Sequence, residues 1–456
     1  MVNSNSLSVP LVANVRVELQ EDKLILIWSV AVWLVVLNTT MFNIALPSVL
    51  LDLSLTSSSA SWIVSGYSIV FAISTLTYSR LSDYLPISRL LMIGLVLLGI
   101  SSIAGFFVNN FYLLMVTRIL QAAGAGAVPG LAMVLAGRYI PLIRRGKAMA
   151  TIASAASLGF GLGPVIGGAI TQYLGWNYLF LVTGFVLLFI PIFIKLLPIE
   201  GTNAVKFDLG GSILTGMSVM GLILFLSTFS ALIFLGTILV TMIMWKHLHT
   251  VKIPFIQPEL FKNRPYIKLI LIGFASYVSH FSTLFIMPII LTSYFHKGPA
   301  MVGLLIFPGA IVAAIGAQYI GRMIDTFGNK PLVIFAHVSL LTSTILFALL
   351  SYRSPLFILG AYMFMSIGFS ALNSSNSNEI TRILAEDKLG AGLGFAQLVQ
   401  FFGGAFGVAI AGIFINLQKQ LPPELMYRNL FIGLTCILIF SGSTAFVYFK
   451  GEKNYS

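Results

Sequence analysis

The chain has a single cysteine, Cys436, so no disulfide can close within it and thiol redox chemistry is not a theme. Charge is scarce as well: 9% of the side chains are Asp, Glu, Lys or Arg, where a soluble domain carries about 25%. No G-x-x-x-x-G-K-[ST] loop occurs, which argues against a nucleotide-driven primary pump. No nucleophile sits in a pattern with a base and no ligand spacing suits a metal, so the sequence reads as a non-enzyme and implies no cofactor. A cleavable leader is not expected, because the first apolar stretch is too long and lacks a small-residue cleavage site.

What is present is apolar. Hydrophobic residues make up 58% of the chain and the mean hydropathy is +0.97, the profile of a polytopic membrane protein. Runs of about 20 apolar residues suffice to cross a hydrocarbon core of about 30 Å. They recur at 24–46, 62–79, 90–108, 112–136, 148–172, 178–197, 210–229, 230–246, 267–291, 301–321, 331–350, 356–378, 390–414 and 429–449, so an all-α fold of fourteen transmembrane helices is expected. With the N-terminus inside, 21 of the 26 basic residues fall in inner segments, four (Lys297, Arg353, Lys419, Arg428) in outer loops, and Arg118 within a span. Basic residues in short loops stay on the inner side, which places both termini in the cytoplasm of a multi-pass cell-membrane protein. The net charge of +12 then marks topology and lipid-headgroup contact, and no nucleic-acid partner is expected.

The longer inner connections divide the chain into a tail (1–23), a six-helix bundle (24–200), two additional helices (201–250), a second six-helix bundle (251–449) and a short tail (450–456). An internal repeat supports the division. "SRLSDYLPISRLL" (79–91) follows the second span and "GRMIDTFGNKPLV" (321–333) follows the second span of the last six, each with an Asp four positions after a small residue, then a turn and a basic residue. Repeated halves with a site between them near the midplane are how many secondary transporters are built. Further motifs lie in the spans: "GFGLGPVIGGAI" in the fifth, "TRILQAAGAGAVPG" in the fourth and "VLNTTMFNIALP" at the end of the first.

Together these motifs resemble, over essentially the whole chain, the fourteen-span drug:proton antiporters of the major facilitator superfamily, the group of bacterial tetracycline and quaternary-ammonium exporters. The resemblance implies two six-helix bundles plus two central helices. It makes Gly159, Gly163, Pro164, Gly167 and Gly168 the antiporter motif, in which small residues let backbones approach and Pro164 permits a kink. It makes Asp83 with Arg89, and Asp325 with Arg322 or Lys330, a latch between helices that breaks and re-forms during transport; the first copy departs from the pattern at Ser79 and Pro86, while the second keeps Gly321 and Gly328. It makes Arg118 a fixed membrane charge that lowers the pKa of a nearby acid. The usual acid of the first span is absent, because Asn38 occupies that position and cannot carry a proton.

An antiporter needs a titrating group, and few acids lie near the bilayer. "NSSNSNE" (373–379) is a polar run ending an otherwise apolar span, and Glu379 shares a helical face with Asn373 and Asn376. That face is expected to line the cavity, with Glu379 carrying the proton; pairing with Arg382 or Lys388 is the plainer alternative. His280, near the centre of the ninth span, can titrate near neutrality, or can stay neutral and bonded to Ser276 or Ser279. Asp52, beyond the outer end of the first span, could fold back toward Arg118, or be a solvated loop acid.

The function expected is proton-coupled export of lipophilic drugs, cationic ones included, by alternating access, with protons, small-molecule drugs and the lipid bilayer as partners and a monomer as the working unit. A narrower tetracycline or metabolite exporter is the alternative, and a non-transporting membrane sensor a more distant one. Asn38, Trp62, Tyr67, Tyr277, Phe281, Asn373, Asn376, Gln397 and Phe401 are the expected cavity residues, because aromatic and amide groups suit planar solutes.

Overall fold

The computed structural model describes residues 20–55, 57–198, 200–201, 208–251 and 254–452. Regular structure there is helical throughout, as it must be where a chain meets hydrocarbon and has to satisfy its own backbone. Twelve of the described helices are long and apolar enough to cross a membrane. In chain order the long helices are α1 (Glu21–Asp52), α2 (Ser57–Leu81), α3 (Ile87–Phe106), α4 (Phe111–Tyr139), α5 (Leu142–Tyr173), α6 (Tyr178–Leu196) and α7 (Leu209–Thr228). After them come α8 (Ala231–Thr250), α9 (Arg264–Tyr294), α10 (Pro299–Phe327), α11 (Asn329–Leu350), α12 (Pro355–Ile383), α13 (Leu389–Leu417) and α14 (Pro423–Glu452).

The two helices outside the twelve are α2 and α7. Eight serines and two threonines dilute α2, and several of their hydroxyls are returned to the preceding turn: Thr75 to Phe71 O, Thr77 to Ile73 O and Ser79 to Thr75 O. Helix starts are fixed by side chains that accept the orphan N–H groups of the first turn. Asn110 does this for α4, Asp208 for α7 and Asn263 for α9.

Several helices run past the expected spans. The first continues to Asp52, which is thus the end of the helix and not part of a loop, and the twelfth continues to Ile383, so that Glu379 lies within it. The sixth is interrupted by a 3-10 turn at Phe185–Phe189, and the ninth ends in a π turn at Ile290–Tyr294 just after Pro288. Residues 1–19 of the expected tail lie outside the described residues.

Two seams bring the early helices against the late ones. Along the first, α5 and α10 lie antiparallel, with Gly146 on Ile324, Ser154 Oγ donating to Ala314 O at 3.0 Å, Gly161 on Ala310 and Gly303 on Val165. Along the second, Ser79 of α2 meets Gly394 of α13, and Phe71 meets Phe401 ring to ring. The face where α1 begins and α14 ends is called the near face below. The α7–α8 hairpin turns at Phe229, whose φ of 50° is left-handed. It leans on α2 through Gly216 and Ile73, and with α13 it encloses an apolar groove of about 410 Å³.

Candidate functional site

At the near face each loop Asp reaches across a seam to the start of a helix in the other half. Asp325, at the end of α10, accepts from Gly146 N–H (2.7 Å) and Lys147 N–H (3.0 Å) in the first turns of α5. Asp83, just after α2, accepts from Gly390 N–H at the start of α13. A carboxylate at a helix N-terminus gains from unsatisfied N–H groups and the helix dipole, about 0.3–1 kcal/mol when exposed and up to ~2 when partly buried. Asp83 is further held by Arg138 Nη2 (2.6 Å) and Arg80 Nη1 (2.7 Å). Burial pushes its carboxyl up, opposed by Arg138 and Arg80.

The basic partners expected from the sequence are therefore corrected. Arg89, Arg322 and Lys330 are exposed side chains, and the oxygens of both acids are instead taken by backbone N–H groups and, at Asp83, by Arg80 and Arg138. The turn chemistry also differs between copies. Gly328 turns with φ 78°, whereas Pro86 makes its turn at φ −57°, and both deliver the acid to an equivalent place.

Deeper in, Arg118 is 2% exposed and lies between two rings, its guanidinium carbon 4.1 Å from the Phe42 centroid and 4.0 Å from that of Tyr67. Its Nη1 donates to Gln121 Oε1 (3.1 Å) and Asn38 Oδ1 (3.5 Å), and Gln121 is held in turn by Ser102. Asn38 also donates to the Tyr67 hydroxyl at 3.2 Å. From Tyr67 a ladder of rings crosses the seam: Phe71 (6.0 Å), Phe401 (5.0 Å), Tyr277 (6.0 Å), Phe369 (5.0 Å) and His280, which stacks on Phe369 at 3.9 Å. Phe281 joins from the side, touching Tyr277 and Phe160.

Amides accompany the rings. Asn373 hydrogen-bonds the Tyr277 hydroxyl. Asn376 is buried with both amide atoms unpartnered, as are Gln397 Nε2, His280 Nδ1 and the Ser276 and Ser279 hydroxyls. Buried polar atoms normally find partners, and of these groups the Asn376 amide lies with the Gln400 amide against Gly273 of α9, where two amides can meet a hydrogen-bonding solute. The ladder brings together six of the expected cavity residues, Asn38, Tyr67, Tyr277, Phe281, Asn373 and Phe401, and adds His280, expected as a titrating group, by its ring; Asn376 and Gln397 lie among the unpartnered polar groups. The Trp62 side chain lies outside the described residues.

The acids fall elsewhere. Glu379 is 1% exposed and accepts from Asn329 Nδ2, Arg382 Nη1 (2.9 Å) and the Tyr448 hydroxyl (2.8 Å). It therefore faces α11 and α14, not the ladder. Each i+3 step drifts by about 60° on a 3.6-residue helix, and two such steps from Asn373 carry the side chain off the shared face. Glu200 does the same in the first half, accepting from Ile87 N–H at the start of α3 and from the Tyr139 hydroxyl at the end of α4. Asp52 accepts from Trp176 Nε1 at 2.8 Å, at the opposite end of α1 from the near face, so it does not reach Arg118. His280 stacks on Phe369 and makes no bond to Ser276 or Ser279.

The glycine stripe of α5 packs on α1. A Cβ at Gly163 would overlap Thr40 Oγ1, one at Gly159 would meet Val36 at 2.8 Å, and one at Gly167 would meet the Met41 backbone at 2.7 Å, while Gly168 touches Ile44 only at 3.7 Å. Pro164 sits inside the helix, and Thr40 Oγ1 donates to Gly159 O at 3.1 Å. Helix α5 is thus wedged between α1 on this stripe and α10 on the face of Gly161.

Sequence reading missed Arg80 and Arg138, Phe42, Phe71 and Phe369, and the helix N-termini that receive the acids. Of these only Arg80, three residues before Asp83, carried a signal.

Apolar helices in two related sets, joined along two seams by exchanged carboxylates around a polar aromatic core, define a multi-pass membrane transporter. The chain belongs to the Major Facilitator Superfamily, whose pattern it matches over residues 28–255 and 269–455. It is 26% identical to the riboflavin transporter RibZ of Clostridioides difficile (strain 630), over 86% of this chain and 87% of that one. It is 24% identical to the puromycin resistance protein pur8 of Streptomyces alboniger, over 83% and 78%. The fold matches the crystal structure of the human organic anion transporter MFSD10 (TETRAN) with a TM-score of 0.71 at 15% identity, covering 93% of this chain and 99% of that one.

Proposed function

We propose that this transporter exports planar, hydrogen-bonding aromatic compounds in exchange for protons by alternating access, from a cell membrane in which the near face is cytoplasmic. On this reading two six-helix bundles rock about the ladder, and α7 and α8 complete a set of fourteen spans. One observation carries the substrate class: Arg118 touches the ladder, and among the described residues no carboxylate does. A fixed positive charge without an acid favours neutral or anionic solutes over the cationic drugs expected from the family resemblance. Riboflavin, named for one relative, is a planar tricycle, and puromycin, named for another, carries a purine; both have the flat shape that a ring ladder receives.

His280 is the coupling group in this proposal, since it is the member of the ladder whose ordinary pKa lies near neutrality. Glu379 is a pin between α11, α12 and α14. Flux in proteoliposomes tests both. A neutral flavin and an anionic dye should move at least about 10-fold faster than a cationic phenanthridinium dye, a difference of about 1.4 kcal/mol; preference for the cation overturns the substrate class. His280→Phe keeps the stack and should retain downhill flux while losing pH-driven accumulation. Unchanged accumulation removes His280 as the carrier.

Glu379→Gln is expected to lower stability by about 1–3 kcal/mol, the range for a buried hydrogen-bonding group left mismatched, with pH-driven flux retained. Thermal unfolding and flux on the same preparation separate the two effects. Loss of coupling at full stability would return Glu379 to the role expected from sequence.

A further inference from the structure

The α7–α8 hairpin stands outside both sets of six, yet its near-face end is tied to the latch through one carboxylate. Asp208, the residue before α7, accepts from Gly211 N–H (2.8 Å), His247 Nε2 at the end of α8 (2.8 Å) and Phe255 N–H in the segment leading to α9 (2.9 Å). Burial alone would raise its carboxyl, but the bonds from His247, Gly211 and Phe255 outweigh it and hold the group below the ordinary carboxylate value. Three separate stretches of chain thus converge on one side chain.

The same segment grips the latch. Arg80 is 2% exposed and uses its two terminal nitrogens on different partners: Nη1 on Asp83 Oδ2 (2.7 Å) and Nη2 on Pro254 O (3.3 Å). With its amide oxygen turned toward the guanidinium, Gln257 accepts from both nitrogens at 3.2 and 3.3 Å. A guanidinium this buried is held only while its acceptors stay in place, because an unpaired buried charge is strongly unfavourable. Across the seam Glu259 pairs with Lys388, two residues before the Gly390 N–H that receives Asp83. Residues 254–259 therefore touch both sides of the latch, and Asp208 anchors them at Phe255.

We infer that Asp208 is a positioning residue for the latch: by fixing Phe255 it sets the Pro254 and Gln257 acceptors that hold Arg80, so the α7–α8 hairpin braces the closed near face. The inference rests on Asp83 acting as a latch, and it gives the two additional helices a task in gating.

The test is a distance measurement that needs no substrate. In full-length protein with Cys436→Ser, spin labels are placed at Ile143→Cys and Ala385→Cys, exposed positions at the near face on opposite halves. Asp208→Asn should raise the population of long label separations several-fold, as Asp83→Asn should, and adding Asp208→Asn to Asp83→Asn should add nothing. Asp208→Glu should restore part of the short population. His247→Leu, which leaves the α7 cap intact, should shift it in the same direction by less, and it keeps the test open if Asp208→Asn does not fold. A shift with Asp83→Asn but none with Asp208→Asn overturns the brace and leaves the latch standing. No shift with either overturns the latch itself. Additive shifts, or a lower melting temperature without any shift, also overturn the brace.

Discussion

Arg118→Gln is expected to reduce transport about 100-fold while leaving the protein as stable as the parent or more so. The guanidinium lies between Phe42 and Tyr67, and no carboxylate faces it among the described residues. Placing an Arg in a membrane helix costs at least about 2.5–3.5 kcal/mol on insertion scales. Two stacked rings return about 2 kcal/mol or more each when desolvated, so the charge is tolerated, not required, by the fold. A solute drawn to that charge loses a contact of about 1.5–3 kcal/mol when it is removed, and the upper end of that range is the expected two decades at about 1.4 kcal/mol each. Arg118→Lys should be intermediate, because an ammonium keeps the charge and forfeits the planar fork that fits between rings. Initial flux in proteoliposomes with unfolding midpoints on the same samples decides the matter. Parent-level flux in Arg118→Gln, or collapse of stability with it, would show that the residue serves the fold.

Gly163→Ala should destabilise the protein by about 3 kcal/mol, the upper part of the usual range for overpacking, and Thr40→Ala, which removes Oγ1 but keeps Cβ, should relieve part of that. The new methyl would overlap Thr40 Oγ1 and lie 2.7 Å from Thr40 Cβ, whereas the nearest backbone atom, Leu37 O, is at 3.2 Å and can yield by tenths of an ångström. The obstruction is therefore one side chain. The double variant should recover part of the expression and melting temperature, the contact with the remaining Cβ at position 40 and the loss of the Thr40 bond to Gly159 O accounting for the rest. Failure of the rescue would mean that helix approach along the stripe, and not the single clash, sets the limit. Gly168→Ala, whose nearest neighbour is Ile44 at 3.7 Å, should be near neutral.

Helix placement was the most legible property, because an apolar run long enough to span lipid has few other fates. The Asp83 and Asp325 loops were equally visible as a repeat. Their partners were not, because a backbone N–H carries no signature in sequence: Gly390, Gly146 and Lys147 look like ordinary helix starts. Arg89 was a reasonable guess from the resemblance, but the position three residues upstream of Asp83 on the same helix end is closer in space. Glu379 misled for a geometric reason. Spacing of three reads as a shared face for one step and fails over two, and the tie to Asn329 and Tyr448 joins residues 50 and 69 positions away. The ring ladder was partly foreseen from aromatic content; which rings touch depends on how α2, α9, α12 and α13 cross.

The exchange of carboxylates between halves has a genetic consequence. Each of these contacts has an acid that accepts and a receiving helix start whose peptide N–H groups, which every residue except proline supplies, donate. Variation should therefore be unequal on the two sides of a single contact, with the acid held fixed and its receiver drifting. The exceptions are receivers limited by volume, Gly390 against Asp83 and Ser79, and Gly146 against Ile324 and Asp325. A mutation that releases either contact is thus most easily found on the acid, and a suppressor of it is expected at a charge already beside that acid, Arg80 or Arg138 at Asp83 and Lys147 at Asp325.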